Sequence, residues 1–352
     1  MSIKMAIIGM GGMAGWHFRN IKEHISGIEV VAGYDIDTAT CEKREKEWGI
    51  KVYETPENLY ADPSIDLVLI ATPNDVHKEY SIRCMEASKH VICEKPVTMN
   101  VAELEDVMAV AEKTGKFFSI HQNRRWDADY MTVKKILSDG MLRNPYTIKS
   151  SVHGSRRLYG WRAFKPNGGG LLLDWGVHLL DQMLDLIPEA VVSTYGHLHS
   201  MEKSEVDDCF TVQLRFEGGC TAVIDISTNS FVVEPRWHIF SKDGTAIVEN
   251  WERHGKIVKQ ADPDEMDWTE TVIYTAAGPT RTMLPRPKET TAELALPDVG
   301  NSRWTDYYKN VVEVLNGREK PIVTAQQALR VMKVIEAIFE SDRTGAAVTD
   351  RI

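Results

Sequence analysis

IKMAIIGMGGMAG, residues 3–15, decides how the chain begins to fold. Ile3 to Ile8 is apolar except at Lys4, the composition of a strand buried on both faces of a parallel sheet. Gly9, Gly11 and Gly12 follow, then Met13, Ala14 and a run that reads as helix through Glu23. A second apolar strand, Ile28 to Asp35, comes next. Strand, glycine loop, helix and strand make the βαβ unit in which a G-x-G-x-x-[GA] loop receives a dinucleotide. Gly9 permits the tight turn, Gly11 lets a pyrophosphate approach the backbone, and Ala14 keeps helix and strand close. The free N–H groups at the helix start suit phosphate. Asp35 closes the second strand about 20 residues past the loop, where a carboxylate hydrogen-bonds ribose hydroxyls and repels a 2′-phosphate. The expected cofactor is therefore NAD rather than NADP, with Gly9, Gly11, Gly12, Met13 and Asp35 in contact. A chance glycine turn beside a surface aspartate is the competing reading, and the register of strand, helix and acid weighs against it.

The alternation continues. Residues 65–74, 90–98 and 116–126 read as strands with outgoing loops, and 77–89 and 100–115 as helices, the latter with an asparagine start and a glycine stop. This is a doubly wound parallel sheet, in which ligands bind beyond the carboxyl ends of the strands. Gly11, Asp35, Thr72, Asn74, Lys95 and Asn123 lie at or just past such ends. From Pro145 the pattern changes to successive strands at about 145–154, 190–199, 207–216, 220–228 and 236–250, with a hairpin turn at Glu217-Gly218-Gly219. Helices fall only at about 170–187, 302–316 and 324–343. The fold class is α/β: a Rossmann domain over residues 1–123, then an α+β domain over 124–352 with a large, mostly antiparallel sheet. That second domain is expected to bind substrate and to pair with other copies in a homo-oligomer, its last helices packing back on the first. Segment 262–300 reads as a surface excursion.

Composition narrows the function classes. The chain has 352 residues, a net charge of -10 and no basic run, which argues against nucleic-acid or membrane-surface binding. Five cysteines without a CxxC pair suit a reduced, cytoplasmic setting. No apolar run reaches the roughly 20 residues of a membrane span, and the N-terminus lacks the pattern of a signal peptide.

Two places carry chemistry. Lys95, between Glu94 and Pro96 at a strand end, lies where a nicotinamide would lie, and its charge favours a developing alkoxide. The Lys95–Pro96 bond is expected to be cis. In GGGLLLDWGVHLLD, residues 168–181, Asp174 and His178 stand four apart on one helix face, continued by Asp181 and Asp185. The stripe reads equally as the wet face of an amphipathic helix or as an acid and a base placed for chemistry. A metal reading lacks a third ligand at a recognised spacing, so no metal is expected.

Together the GMGGMA loop, Ala71-Thr72-Pro73-Asn74 with His77, the EKP motif at 94–96 and GGGLLLDWGVHLLD make the chain resemble the Gfo/Idh/MocA family of sugar and inositol dehydrogenases over almost its whole length. The resemblance implies that Lys95 contacts the nicotinamide ribose and the reacting hydroxyl, that His178 is the general acid–base, and that Asp174 binds a neighbouring hydroxyl. It further places Thr72, Asn74, His77, Glu94, Gln122, Asn123, Trp161 and Arg162 near the cofactor.

Arg124, Arg125, Trp126, His153, Arg156, Arg157, Tyr159, Trp161 and Trp175 supply the aromatic faces and donors that suit a sugar ring. Arg124, Trp126, His153 and Trp175 are the expected substrate contacts. Inositol dehydrogenases carry an asparagine where this chain has Ser155, a departure that counts against strict myo-inositol specificity. The resulting expectation is an NAD-dependent dehydrogenase of a secondary ring hydroxyl in a sugar, cyclitol or glycoside. Its rivals are a non-catalytic NAD-binding regulator, a redox-neutral enzyme that retains NAD while cleaving a glycosidic bond through a ketone, and a metal-dependent lyase or hydrolase.

Overall fold

The computed structural model describes residues 2–201, 204–262, 271–282 and 286–352. The first half runs β1 (Ile3–Ile8), α1 (Gly12–His24), β2 (Ile28–Tyr34), α2 (Thr38–Trp48), β3 (Lys51–Val52), α3 (Pro56–Ala61), β4 (Leu67–Ile70), α4 (His77–Glu86), β5 (His90–Cys93), α5 (Val101–Thr114) and β6 (Phe118–Ile120). The six strands pair in parallel in the order β3-β2-β1-β4-β5-β6. Chain direction across the sheet reverses between β1 and β4, which opens a crevice at their carboxyl ends. Gly9 sits at that point with φ +85°, and a Cβ there would lie 2.8 Å from the Ala71 carbonyl carbon. Only glycine lets the end of β1 and the end of β4 come so close. Asn100 caps α5 by accepting the Glu103 N–H, and Gly115 ends it in the left-handed conformation, as the sequence signals indicated. Helices α2 and α3 escaped the sequence reading. α2 buries little but Trp48, so it carries almost no apolar period.

The second half adds α6 (Ala128–Ser138), β7 (Pro145–His153), α7 (Val177–Leu186), β8 (Val191–His199), β9 (Cys209–Phe216), β10 (Thr221–Ser227), β11 (Trp237–Ser241), β12 (Gly244–Val248), β13 (Gly255–Gln260), β14 (Thr271–Thr275), β15 (Gly278–Thr282), β16 (Thr291–Leu294), α8 (Asp306–Leu315) and α9 (Ala325–Thr344). Eight of these strands form a sheet in the order β16-β13-β12-β11-β7-β10-β9-β8, antiparallel except where β10 runs parallel to β7. The strict alternation in β9 buries Phe210, Val212, Leu214 and Phe216 and exposes Thr211, Gln213 and Arg215. The buried face packs with the apolar side of α7, where Leu179, Leu180 and Met183 are fully enclosed.

Two sequence expectations change here. The stretch 236–250 is a hairpin of two strands rather than one. Within 262–300 the chain forms the β14–β15 hairpin and then returns as β16 to pair with β13 at the sheet edge; residues 263–270 and 283–285 lie outside the described residues. The last helices do return to the first sheet. The Ser119 hydroxyl at β6 donates to the Val323 carbonyl, the Tyr307 hydroxyl donates to Ser119, and the Val101 N–H donates to Glu336 on α9. No helix among the described residues is long and apolar enough to cross a membrane.

Candidate active site

One cavity of about 790 Å³ runs between the two sheets, from the glycine loop to α7. Gly11 and Gly12 line its first end, and a Cβ on either would meet nothing within 4 Å, so a side chain there would fill the cradle a pyrophosphate needs. Asp35 lines it as well, its carboxylate accepting the Met10 N–H at 2.6 Å and the Asp37 N–H at 3.0 Å. The Thr72 hydroxyl is buried at the wall with no partner. An open glycine cradle, a fixed ribose-height carboxylate and an orphaned hydroxyl fit a dinucleotide. Met13, Asn74, Glu94, Asn123, Trp161 and Arg162 also line this space. Asn74 additionally donates to the Gly168 carbonyl at 3.0 Å, tying the first sheet to the glycine run.

At the far end stand Lys95, Asp174 and His178. The Lys95–Pro96 bond is cis. The Lys95 ammonium donates to the Asp174 carbonyl oxygen at 2.6 Å and to its carboxylate at 2.9 Å, and Arg162 donates to the other carboxylate oxygen at 2.9 Å. Burial would push the Asp174 carboxyl up, but the Lys95 and Arg162 charges outweigh it and hold the group below the usual carboxylate range. The His178 ring donates from Nδ1 to the Gln122 side-chain oxygen at 2.9 Å. That bond fixes the neutral tautomer with a bare Nε2, which has no hydrogen-bond partner among the described residues. Burial, then the Lys95 and Arg124 charges, push the imidazole well below its ordinary pKa, so at neutral pH it is a proton acceptor.

The local backbone places these groups. Leu172–Gly176 is a π turn, and α7 continues from it. The widened turn carries Asp174 and leads directly to His178, and such turns are frequent at functional sites. Asp207 accepts the Leu172 N–H at 2.7 Å and so anchors the turn's start.

Beyond His178 the stripe turns from the cleft to internal packing. Asp181 is buried in a two-bond pair with Arg125, at 2.7 Å for each bond, and Asp185 meets Lys134 at 2.7 Å and the Tyr130 hydroxyl. Asp181 is shut off from solvent and Asp185 is only partly exposed, and Arg125 belongs to this internal network rather than to the cleft.

Four expected contacts lie outside the cavity. His77 is fully buried, one ring nitrogen on the Pro96 carbonyl at 2.8 Å and the other on the Thr72 carbonyl at 3.0 Å, so it braces both wall loops and touches neither ligand. Gln122 acts through His178. Trp126 turns away to pack on Tyr307. His153 lines a neighbouring cavity and pairs with Asp225 at 2.6 Å. Arg124 and Trp175 do line the main cleft, the guanidinium lying 4.1 Å from the indole centre.

The sequence reading missed Trp304, which closes the wall beside Arg124, 180 residues along the chain and without a periodic signal. It also missed a buried cluster beneath the wall. Glu94 accepts from His17 Nε2 at 2.7 Å and from His121 Nδ1 at 2.8 Å, and the Tyr308 hydroxyl bonds His17 Nδ1 at 2.7 Å. The two rings and the carboxylate have the composition of a metal site, but their donor atoms are hydrogen-bonded to one another.

Comparison with known proteins agrees with this fold. Residues 3–122 match a family model described as an oxidoreductase family with an NAD-binding Rossmann fold, and residues 134–349 match that family's C-terminal alpha/beta domain. The scyllo-inositol 2-dehydrogenase (NADP(+)) IolW of Bacillus subtilis is 29% identical over 350 residues, covering 97% of this chain and 94% of its own length. The myo-inositol 2-dehydrogenase of Thermotoga maritima is 26% identical over 255 residues, covering 70% of this chain and 75% of its own. A crystal structure of an NAD-binding protein from Listeria innocua superposes with a TM-score of 0.90 at 40% identity, over 99% of both chains.

Proposed function

The chain belongs to the Gfo/Idh/MocA oxidoreductase family, and from that premise we propose that it oxidises a secondary ring hydroxyl of a sugar, cyclitol or glycoside with NAD as acceptor. One observation carries the reading: Lys95, Asp174 and the bare Nε2 of His178 line the same cavity as the glycine cradle. The relatives named as inositol dehydrogenases support the substrate class. For the cofactor, Asp35 supports NAD, because a carboxylate closing the second strand repels a 2′-phosphate, although one relative is named for NADP(+).

When bound, NAD supplies the hydride acceptor at carbon 4 of its nicotinamide. The residues of the chain handle the proton. The substrate hydroxyl enters between Lys95 Nζ and His178 Nε2. Lys95, held by Asp174, donates a hydrogen bond to the oxygen and steadies the negative charge that grows on it. His178 Nε2 takes the O–H proton while the C–H electron pair leaves with its hydrogen as hydride. Gln122 holds the ring in the tautomer that can accept. Asp174 keeps the ammonium aimed, and its charge, with those of Lys95 and Arg162, leaves this end of the site with a net single positive charge.

NADH formation against monosaccharides, inositols and glycosides tests the reading. Turnover of at least one ring alcohol, with NADH accumulating beyond one equivalent of enzyme, is expected. Tight NAD binding without any turnover would favour the regulator instead. We also assign self-association to the open face of the eight-stranded sheet, where Thr211, Gln213 and Arg215 are exposed; sedimentation of a monomer at micromolar concentration would contradict that assignment.

A further inference from the structure

The cleft does not end at His178. A second cavity of about 250 Å³ continues past Trp175, and the two spaces share Arg162, Asp174 and Trp175 as walls. Three arginines, Arg156, Arg157 and Arg162, line the second space, and Asp174 is the one acid among its lining residues. That acid already serves Lys95 and Arg162. His153, on the same wall, is engaged by Asp225 at 2.6 Å. The Arg156 side chain has no hydrogen bond or ion pair among the described residues. Arg156 is thus a positive charge without a counter-charge on this wall, in a chain whose net charge is -10.

The wall is also fixed in place. The Gly154 N–H donates to the Ser227 carbonyl at 3.0 Å, the Arg156 N–H to the Thr228 carbonyl at 2.8 Å, and the Ser230 N–H to the Gly154 carbonyl at 3.0 Å. These bonds hold the backbone beneath Arg156 to the end of β10, so the order a ligand would otherwise impose there is already present. A guanidinium group binds carboxylate and phosphate oxygens in pairs and is weakly hydrated, which suits Arg156 to an anion rather than to a hydroxyl.

We propose that this second cavity is an anion subsite, and that the alcohol oxidised at His178 carries a carboxylate or phosphate that reaches Arg156. The inference rests on the dehydrogenase reading for the substrate's other end. It makes the natural substrate an acidic or phosphorylated sugar or cyclitol, with the ring against Trp175, the reacting hydroxyl between Lys95 and His178, and the anionic substituent beyond.

The test compares glucose, glucuronate, glucose 6-phosphate and myo-inositol as substrates for the full chain and for Arg156→Ala. An anionic member is expected to exceed its neutral counterpart in kcat/KM by about tenfold or more, and Arg156→Ala to lower that anionic-to-neutral ratio by about tenfold, mainly through KM. Raised salt should narrow the ratio in the parent chain. Whether glucuronate or glucose 6-phosphate responds identifies the anion. An equal ratio in the two proteins, or a neutral substrate preferred by the parent, overturns the subsite.

Calorimetric titration of glucuronate and of inorganic phosphate into the NADH-saturated protein separates the two claims, because it needs no turnover. Anion binding that weakens in Arg156→Ala while no panel member is oxidised upholds the subsite and counts against the dehydrogenase. Absence of anion binding, or binding unchanged by the substitution, overturns the subsite whatever the turnover.

Discussion

At the scale of single residues, the site is set by what each polar group already holds. His178 spends Nδ1 on Gln122 and keeps Nε2 for substrate, while burial beside Lys95 and Arg124 favours its neutral form. The pH profile of kcat/KM for alcohol oxidation is therefore expected to stay level through pH 6.5, with its acid limb well below histidine's ordinary value. A limb at 6.5 would mean that the base is a solvated imidazole and not this one. Asp35 sets cofactor choice in the same manner. Asp35→Ala should raise kcat/KM for NADP relative to NAD by about tenfold or more, since a charge within about 4 Å of a phosphate acts with more than 1 kcal/mol. An unchanged ratio of the two cofactors would place the 2′ position elsewhere. These residues were legible in the sequence because each closes a strand or opens a helix in a recognisable frame. His77, Gln122 and Trp126 lie in the same frames, yet burial and side-chain direction took them out of the cleft, and no spacing reports direction. The His17–Glu94–His121 cluster joins the start of the first domain to the ends of β5 and β6, and Trp304 reaches the wall from the far end of the chain, pairings that nothing local encodes.

At the scale of elements, the π turn at Leu172–Gly176 is the feature that the sequence concealed. A simple four-residue spacing gave the right pair of residues but not the widened backbone that presents Asp174 to Lys95. Its anchor makes a prediction. Burial pushes the Asp207 carboxyl up to about 6. Between the unfolded value of about 3.9 and that point the folded chain keeps a proton that the unfolded chain has lost, so this group's contribution to stability falls as pH rises through the window and stays low above it. Asp207→Asn can still accept the Leu172 N–H but cannot ionise. Its melting temperature, relative to that of the parent, should therefore rise from pH 4 to pH 7. A constant difference between the two proteins across that range would show that Asp207 titrates normally. Elements with a strong apolar period, such as α5 and β9, were read closely from sequence. The short or polar ones, α2, α3 and β16, were not, because they bury too little to leave a pattern.

At the scale of the whole molecule, the two sheets are joined by α8, α9 and a set of buried histidines. His17 is pushed down to about 4 by burial, and His77 and His178 are lowered chiefly by the same cause. His17 and His178 are neutral in the fold, whereas in the unfolded chain they take up protons below about 6.5. Stability is then complete well above that value and declines as pH falls through it. From pH 7.5 to 6.0 His17 and His178 each remove about 0.8 kcal/mol, so the two together remove about 1.6 kcal/mol. Urea unfolding at the two values measures this; equal midpoints and slopes would show the histidines to be protonated in the fold. Asp207, pushed up to about 6, offsets a small part of this loss, because near pH 6 the folded chain begins to take up a proton that the unfolded chain does not. Domain order and the parallel sheet were visible in the sequence, while the joint between the halves was not, because its hydrogen bonds link residues some 200 positions apart, Ser119 to Val323 among them.

The account stands most directly on His178. With the best ring alcohol as substrate, kcat of His178→Ala is expected to fall by about a thousandfold, in the range that loss of a positioned general base removes, while the dissociation constant for NAD, measured by calorimetry on the same protein, stays within about threefold of the parent, as expected for a residue that forms no part of the glycine cradle. Oxidation by His178→Ala at the parent rate would contradict it.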